Sequence, residues 1–177
     1  MIDKTNQYVT FLLDDEIYAL DVAHAREIVE VPRLTRMPNA PDWIRGVMNL
    51  RGSIVPVIDL KQKFDMGATI ITHRSCVLLV EFEFEGSTFT IGVLVDAVVS
   101  VFELSPEQVE PPPRYGARYS RKYLQGAGRQ DGRVFLILEA NEVFADIEAE
   151  VQTVGLEEAE AETEAEPAIP AQLQETA

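Results

Sequence analysis

The chain has 177 residues, which suits one domain or two small lobes, and 46% of them are hydrophobic, enough for a real core. No apolar run approaches the roughly 18–20 residues of a membrane helix, and the polar start, Met1 to Gln7, lacks a signal core, so the sequence predicts a soluble, cytoplasmic protein. Of the net charge of −15, ten negative charges lie between Asp146 and Ala177, where no basic residue occurs; the −5 left on residues 1–145 gives no support to nucleic-acid binding.

Tyr8–Leu13 and Glu16–Val22 read as strands joined by the acidic turn Asp14-Asp15. Ala25–Val31 is a third β-rich run. Pro38–Pro41 is a turn cluster, after which Asp42 is placed to cap a short helix through Trp43, Ile44 and Val47. Ile54–Leu60 follows as a strand. Cys76–Glu85 and Thr88–Val95 flank Glu85-Gly86-Ser87 as a second hairpin, and Val98–Leu104 and Val134–Glu139 are two further strands. Cys76 is the single cysteine and cannot close an internal disulfide; its apolar neighbours mark it as buried filler. Beyond the folded region, residues 1–150, the segment 151–177 contains EEAEAETEAE from Glu157 to Glu166 and then Pro167 and Pro170. It has too little apolar surface to offset the entropy of ordering, which predicts an acidic, disordered tail. Many short strands with tight turns and few helices argue for an all-β protein built of barrels or a sandwich.

The sequence also repeats itself. At an offset of 80, Trp43-Ile44-Arg45-Gly46 lies over Tyr123-Leu124-Gln125-Gly126, Gly52 over Gly132, the strand Ile54–Asp59 over Val134–Glu139, and Phe64 over Phe144. At an offset of 73, Tyr18-Ala19-Leu20 lies over Ile91-Gly92-Val93, and Ile28 over Val101. The shared glycine spacing points to a duplication and therefore to two like lobes with a seam between them, a common place for partners to bind.

Catalytic constellations do not assemble. Asp14-Asp15 and Asp59 each follow an apolar strand, as the acids of a phosphoaccepting receiver do. A receiver, however, needs a crossover of a dozen or more residues after its first strand, and here the next strand begins at once. Nor is there a lysine between Lys63 and Lys122 to serve it. His24 and His73 lack cysteine or carboxylate partners at metal-ligand spacing. No GxxxxGK[ST], GxSxG or HExxH occurs. The expectation is a protein with no catalytic residues, no cofactor and no metal.

One polar motif stands out, Asn49-Leu50-Arg51-Gly52, which on this reading joins the short helix to an apolar strand. Arg51 beside a glycine either presents its guanidinium fork to an acidic or carbonyl partner or forks onto local carbonyls and holds the turn. The longer run WIRGVMNLRGSIVPVIDL, Trp43 to Leu60, resembles the signature stretch of the CheW family. Tyr18-Ala19-Leu20-Asp21-Val22, Arg26-Glu27-Ile28-Val29, Ile91–Asp96, Tyr123–Gly126 and Val134–Leu138 resemble other segments of that family, so the likeness spans about Tyr8 to Ile147.

The resemblance implies two SH3-like five-stranded β-barrel lobes and a non-catalytic adaptor. CheW domains bridge the cytoplasmic tip of methyl-accepting chemotaxis receptors to the regulatory, CheW-like domain of the histidine kinase CheA, and other CheW copies in arrays are further implied partners. The receptor tip is expected in an apolar groove between the lobes and the kinase barrel to barrel. Arg51, Glu27, Ile28 and Gly46 fall where the family places receptor-facing residues. Ala25 departs from the valine common there, which trims one apolar contact. CheW domains also occur in CheA and CheV, but no kinase, phosphotransfer or receiver segment fits within this chain, so a stand-alone cytoplasmic adaptor is expected, recruited to membrane-bound receptor arrays. It would serve chemotaxis or a related twitching, gliding or surface-sensing pathway.

Overall fold

A computed structural model describes the backbone over residues 6–112 and 120–164, and the side chains of these up to Gln152 apart from positions 120 and 121. Strands β1 (Asn6–Leu13) and β2 (Glu16–Asp21) pair antiparallel, and Asp14, in the left-handed region at φ 57°, lets the chain reverse in two residues. A 3-10 turn over Val22–His24, capped by the Asp21 carboxylate accepting from the Ala23 N–H at 2.9 Å, carries the chain away from that hairpin. Strand β3 (Ala25–Glu30) therefore joins a different sheet. β4 (Ile44–Leu50), β5 (Ser53–Asp59) and the four-residue helix α1 (Leu60–Lys63) come next. β6 (Cys76–Phe84), β7 (Ser87–Val95) and β8 (Ala97–Leu104) follow, then α2 (Ser120–Tyr123), β9 (Leu124–Gln130), β10 (Arg133–Leu138) and α3 (Ala140–Glu164).

The strands form two five-stranded sheets, ordered β8-β1-β2-β10-β9 and β3-β6-β7-β5-β4. These are one pattern built twice. β4 and β5 correspond to β9 and β10 at the offset of 80, and β2 and β3 to β7 and β8 at 73. Each sheet takes its central hairpin from one repeat and its other three strands from the other, so the repeats are interlaced. Register agrees: Val57 lies opposite Gly92 in the parallel pairing of one sheet, and Ile137 opposite Ala19 in that of the other. Each barrel is closed by a strand-like segment, Thr35 bridging to Val47 in the second and Glu110 to Ala127 in the first. Tyr8, Ala19, Leu104, Phe135 and Ile137 fill the first barrel. Met48, Val55, Val57, Val77, Leu79 and Leu94 fill the second.

Two local expectations are corrected. No helix follows Asp42: Trp43 sits in a turn, and Ile44, Gly46 and Met48 alternate inward along β4 while Arg45 and Val47 are half-buried, a period of two rather than 3.6. The motif at Arg51 thus joins two strands. Strand β9, which carries Gly126, Ala127 and Gly128, has little β propensity. It is a strand because its small residues leave room: a Cβ on Gly128 would lie 2.3 Å from the Phe135 ring. The chain divides into two units, residues 1–145 with both barrels and residues 146–177. In the second unit the backbone is helical to Glu164. Alanine, glutamate, leucine and glutamine are good helix formers without any core to pack on. Residues 165–177 lie outside the described ones.

Candidate functional site

The hairpin β4–β5 turns on Arg51 at φ 51° and Gly52 at φ 88°, two successive left-handed residues as in a type I′ turn. The Gly52 N–H donates to the Asn49 side-chain oxygen at 2.9 Å, which ties the turn down without using the arginine. Arg51 therefore points outward, with 73% of its side chain exposed. Its Nη2 donates to both carboxylate oxygens of Glu27, at 2.9 and 2.8 Å. Of the two sequence-level readings, the fork onto local carbonyls is absent. Glu27 lies on β3 and Arg51 beyond β4, the two end strands of one sheet, so the pair crosses the seam where that barrel closes. An ion pair this exposed contributes about 0–1 kcal/mol to stability. It positions the guanidinium more than it holds the fold.

Ile28, the next residue on β3, faces outward at 47% exposure. Ile54, three residues past Arg51 on β5, is 76% exposed. Sequence reasoning did not single out Ile54; its place in the apolar run Ile54–Ile58 makes it look like core, and only the pleat shows which side it takes. The second barrel thus carries an exposed charged pair at its seam and exposed apolar side chains on β3 and β5, with Ile28 on the face of β3 opposite to Glu27.

Gly46 is placed differently. It is buried, its φ is 146°, and an added Cβ would lie 2.5 Å from the Thr35 carbonyl oxygen of the closing segment. Gly126 holds the equivalent place in the other barrel, 2.6 Å from the Glu110 oxygen. Gly46→Ala is expected to cost about 1–3 kcal/mol through overpacking, read as a lower urea midpoint. A Gly46→Ala protein of full stability would remove this packing role.

None of the four residues lines the apolar recess formed by Tyr18, Phe64, Met66, Tyr123, Leu124, Leu136 and Leu138, about 280 Å³ in volume. That recess lies where the segment after α1 crosses β2 and β10 of the other sheet. The charged cluster and the recess are separate features.

A model of the CheW-like domain matches residues 7–148. The chain belongs to the CheW-like family. It is 32% identical over 142 residues to the chemotaxis protein CheW of Klebsiella aerogenes, covering 80% of this chain and 83% of the relative. It is 30% identical over 148 residues to the chemotaxis protein CheW of Treponema pallidum, covering 82% and 86%. The crystal structure of the scaffolding protein TtCheW from Thermoanaerobacter tengcongensis superposes with a TM-score of 0.68 at 32% identity, over 78% of this chain and 86% of that one.

Two buried polar nodes support this CheW-like framework, and the sequence reading assigned them no such part. Asp59, wholly buried at the end of β5, accepts from Arg45 Nη1 at 2.9 Å, the Thr69 N–H and hydroxyl at 2.8 Å each, and the Gln62 N–H at 3.3 Å. It caps α1 and anchors the loop that follows. The acid considered as a phosphoacceptor is thus enclosed, with its oxygens already engaged. The second node is Lys61 on α1, buried with only 7% of its surface exposed. Its ammonium pairs with Asp14 in the β1–β2 turn and lies 3.6 Å from Asp96, which links β7 to β8. Asp96 in turn accepts from the Asp14 N–H at 2.6 Å. One cation so joins an element of the second barrel to the first hairpin and to a connection between the sheets.

The hydrogen bond to Asp14 pushes the Lys61 pKa up, against the downward pull of desolvation. A folded-state pKa above the unfolded value contributes stability that is present below the ordinary lysine range and is lost as pH rises past it. Lys61→Met is expected to cost about 1–2 kcal/mol at neutral pH, since both carboxylates keep access to water. In urea titrations above pH 10 the gap to the wild type should close. A gap that stays constant with pH would take the charge out of the account. Of the two histidines, His24 contacts the Glu81 carbonyl through Nδ1 at 3.0 Å, and His73 is exposed.

Proposed function

We propose that the chain is a non-catalytic adaptor that couples the cytoplasmic tip of a methyl-accepting chemotaxis receptor to the histidine kinase CheA. Membership of the CheW-like family supports the scaffold role, and the relatives named above are chemotaxis proteins. The observation that carries the receptor-facing assignment is the exposed Arg51–Glu27 pair across the barrel seam, on the barrel that also exposes Ile28. An arginine already oriented by a carboxylate loses less rotamer freedom on binding than a free one. Ile28 and the guanidinium then offer a receptor helix an apolar anchor and several directed donors. Gly46 contributes from beneath, by letting Thr35 close the barrel that carries the cluster. The kinase would dock on barrel edges elsewhere, other copies of the chain would share the array, and the protein would be drawn to the membrane only through its receptor.

Ile28→Asp tests the assignment, because an exposed position tolerates the change. The variant should keep the wild-type unfolding midpoint and lose about tenfold or more in affinity for a receptor-tip fragment, the equivalent of 1.4 kcal/mol. Its affinity for the isolated regulatory domain of the kinase should hold. Unchanged receptor binding by a folded Ile28→Asp protein would remove Ile28 from the interface.

A further inference from the structure

Five of the eight arginines whose side chains are described are engaged: Arg26 with Glu81, Arg45 with Asp59, Arg51 with Glu27, Arg129 with Glu110, and Arg133 with the Asp15 carbonyl. The side chains of the other three, Arg33, Arg36 and Arg74, make no hydrogen bond or ion pair among the described residues. Residues 1–145 still carry a net charge of −5, so acids are available to them, yet these three cations stay unpaired. All three are exposed and lie in two segments, one closing the second barrel and one leading into β6.

Those segments meet at a half-open cleft of about 530 Å³. Its apolar lining residues include Pro32, Leu34, Met37, Pro41, Ile44 and Ile71. Arg36, Asp42, Arg45 and Gln62 are its charged and amide side chains, and Arg45 is already committed to Asp59 and the Thr69 carbonyl. Among the described residues of the lining Arg36 is therefore the free cation; Arg33 lies three residues before it in sequence and Arg74 three residues after Ile71. Met37 and Ile71 leave apolar surface open beside it, at 37% and 45% exposure. Thr35 and Val47 exchange two backbone hydrogen bonds, 2.9 and 2.8 Å, directly under Arg36, so the wall is braced before anything binds.

We propose that this cleft docks a short acidic segment of a partner protein, whose carboxylate meets Arg36 and whose neighbouring aliphatic side chain enters between Met37 and Ile71. Charge complementarity selects the acid, because Arg36 is exposed and unpaired in the cleft and the two segments that form it also carry Arg33 and Arg74. The exposed Met37 and Ile71 select a peptide over a bare phosphate, which gains nothing from them, and over a nucleic acid, which has no aliphatic anchor. Asp42, the acid among the described residues of the lining, gives the segment a direction, with its carboxylate toward Arg36. No residue of the Arg51–Glu27 cluster lines the cleft, so the proposal stands apart from the receptor reading.

The test is fluorescence anisotropy of the full chain with a labelled ten-residue peptide of glutamates and two adjacent leucines, at low salt. Saturable binding is expected. Arg36→Gln and Met37→Asp should each weaken it by roughly tenfold, Arg129→Gln on the other barrel should not, and replacing the leucines by serines should weaken it as much. Amide shifts in the NMR spectrum on peptide addition should centre on residues 33–42, a readout that needs no variant to fold. No binding to the wild type, binding indifferent to Arg36→Gln, shifts centred elsewhere, or equal binding of the serine peptide would each overturn the proposal.

Discussion

Arg51→Ala should weaken binding of a receptor-tip fragment by about 30- to 4000-fold, the equivalent of about 2–5 kcal/mol for removing one partner of a desolvated, charged contact. Stability should hardly change, because the Arg51–Glu27 pair is exposed and contributes little to folding. The backbone offers a sharper version. Arg51 sits at φ 51°, where asparagine and glycine are at home and other residues carry a small strain. Arg51→Asn should therefore fold at least as well as the wild type and still lose receptor affinity to a similar degree. Arg51→Lys should fall between, since an ammonium keeps the charge but not the fork. Titration of each protein against receptor fragment and kinase regulatory domain separately, with an unfolding curve for each, decides the matter. Equal receptor affinity for wild type and Arg51→Asn would return Arg51 to a role in the turn alone.

The largest loss of stability should come from Asp59→Ala. The carboxylate is fully buried and accepts four hydrogen bonds, one from a guanidinium. Its removal strips the cap from α1, frees the Thr69 loop and leaves the half-buried Arg45 without its counter-charge. A loss of about 3–5 kcal/mol is expected, typical of breaking a buried pair by deleting one partner. Against a total of about 5–15 kcal/mol for a domain, that is enough to unfold part of the population at ambient temperature. Asp59→Asn, which can still accept from Thr69 and Gln62, should cost less than the alanine. Urea unfolding of the two variants gives the order. An Asp59→Ala protein within about 1 kcal/mol of wild type would show that water replaces the carboxylate. The same burial predicts that incubation with a small phosphodonor and magnesium leaves Asp59 unmodified, whereas phosphate on Asp59 would reopen the receiver reading.

Much of the architecture could be read in advance because its determinants are local and periodic. The acidic turn at Asp14-Asp15, the alternating strands, and the glycines shared at an offset of 80 each specify backbone geometry from a few adjacent residues. The places where the reading failed are those where a distant element decides. Trp43–Val47 looked helical behind a capping aspartate, and became strand because Pro56 and Val57 pair with it and Thr35 closes on its other side. Leu124–Gln130 lacked β-formers, and became strand because Phe135 fills the space its glycines vacate.

The candidate site divides in the same way. By itself the sequence determined that Arg51 heads a tight turn, that two like lobes exist, and, through the run from Trp43 to Leu60, which family the chain belongs to. It could not determine that the repeats exchange hairpins, since pairing between strands far apart in the chain depends on contacts that no local pattern encodes. Only the tertiary structure set Glu27 against Arg51 across a barrel seam, turned Ile28 and Ile54 outward, hid Asp59 and Lys61, and showed Gly46 to be a packing glycine. Each of those outcomes depends on what lies opposite a side chain, and that partner is supplied by the fold.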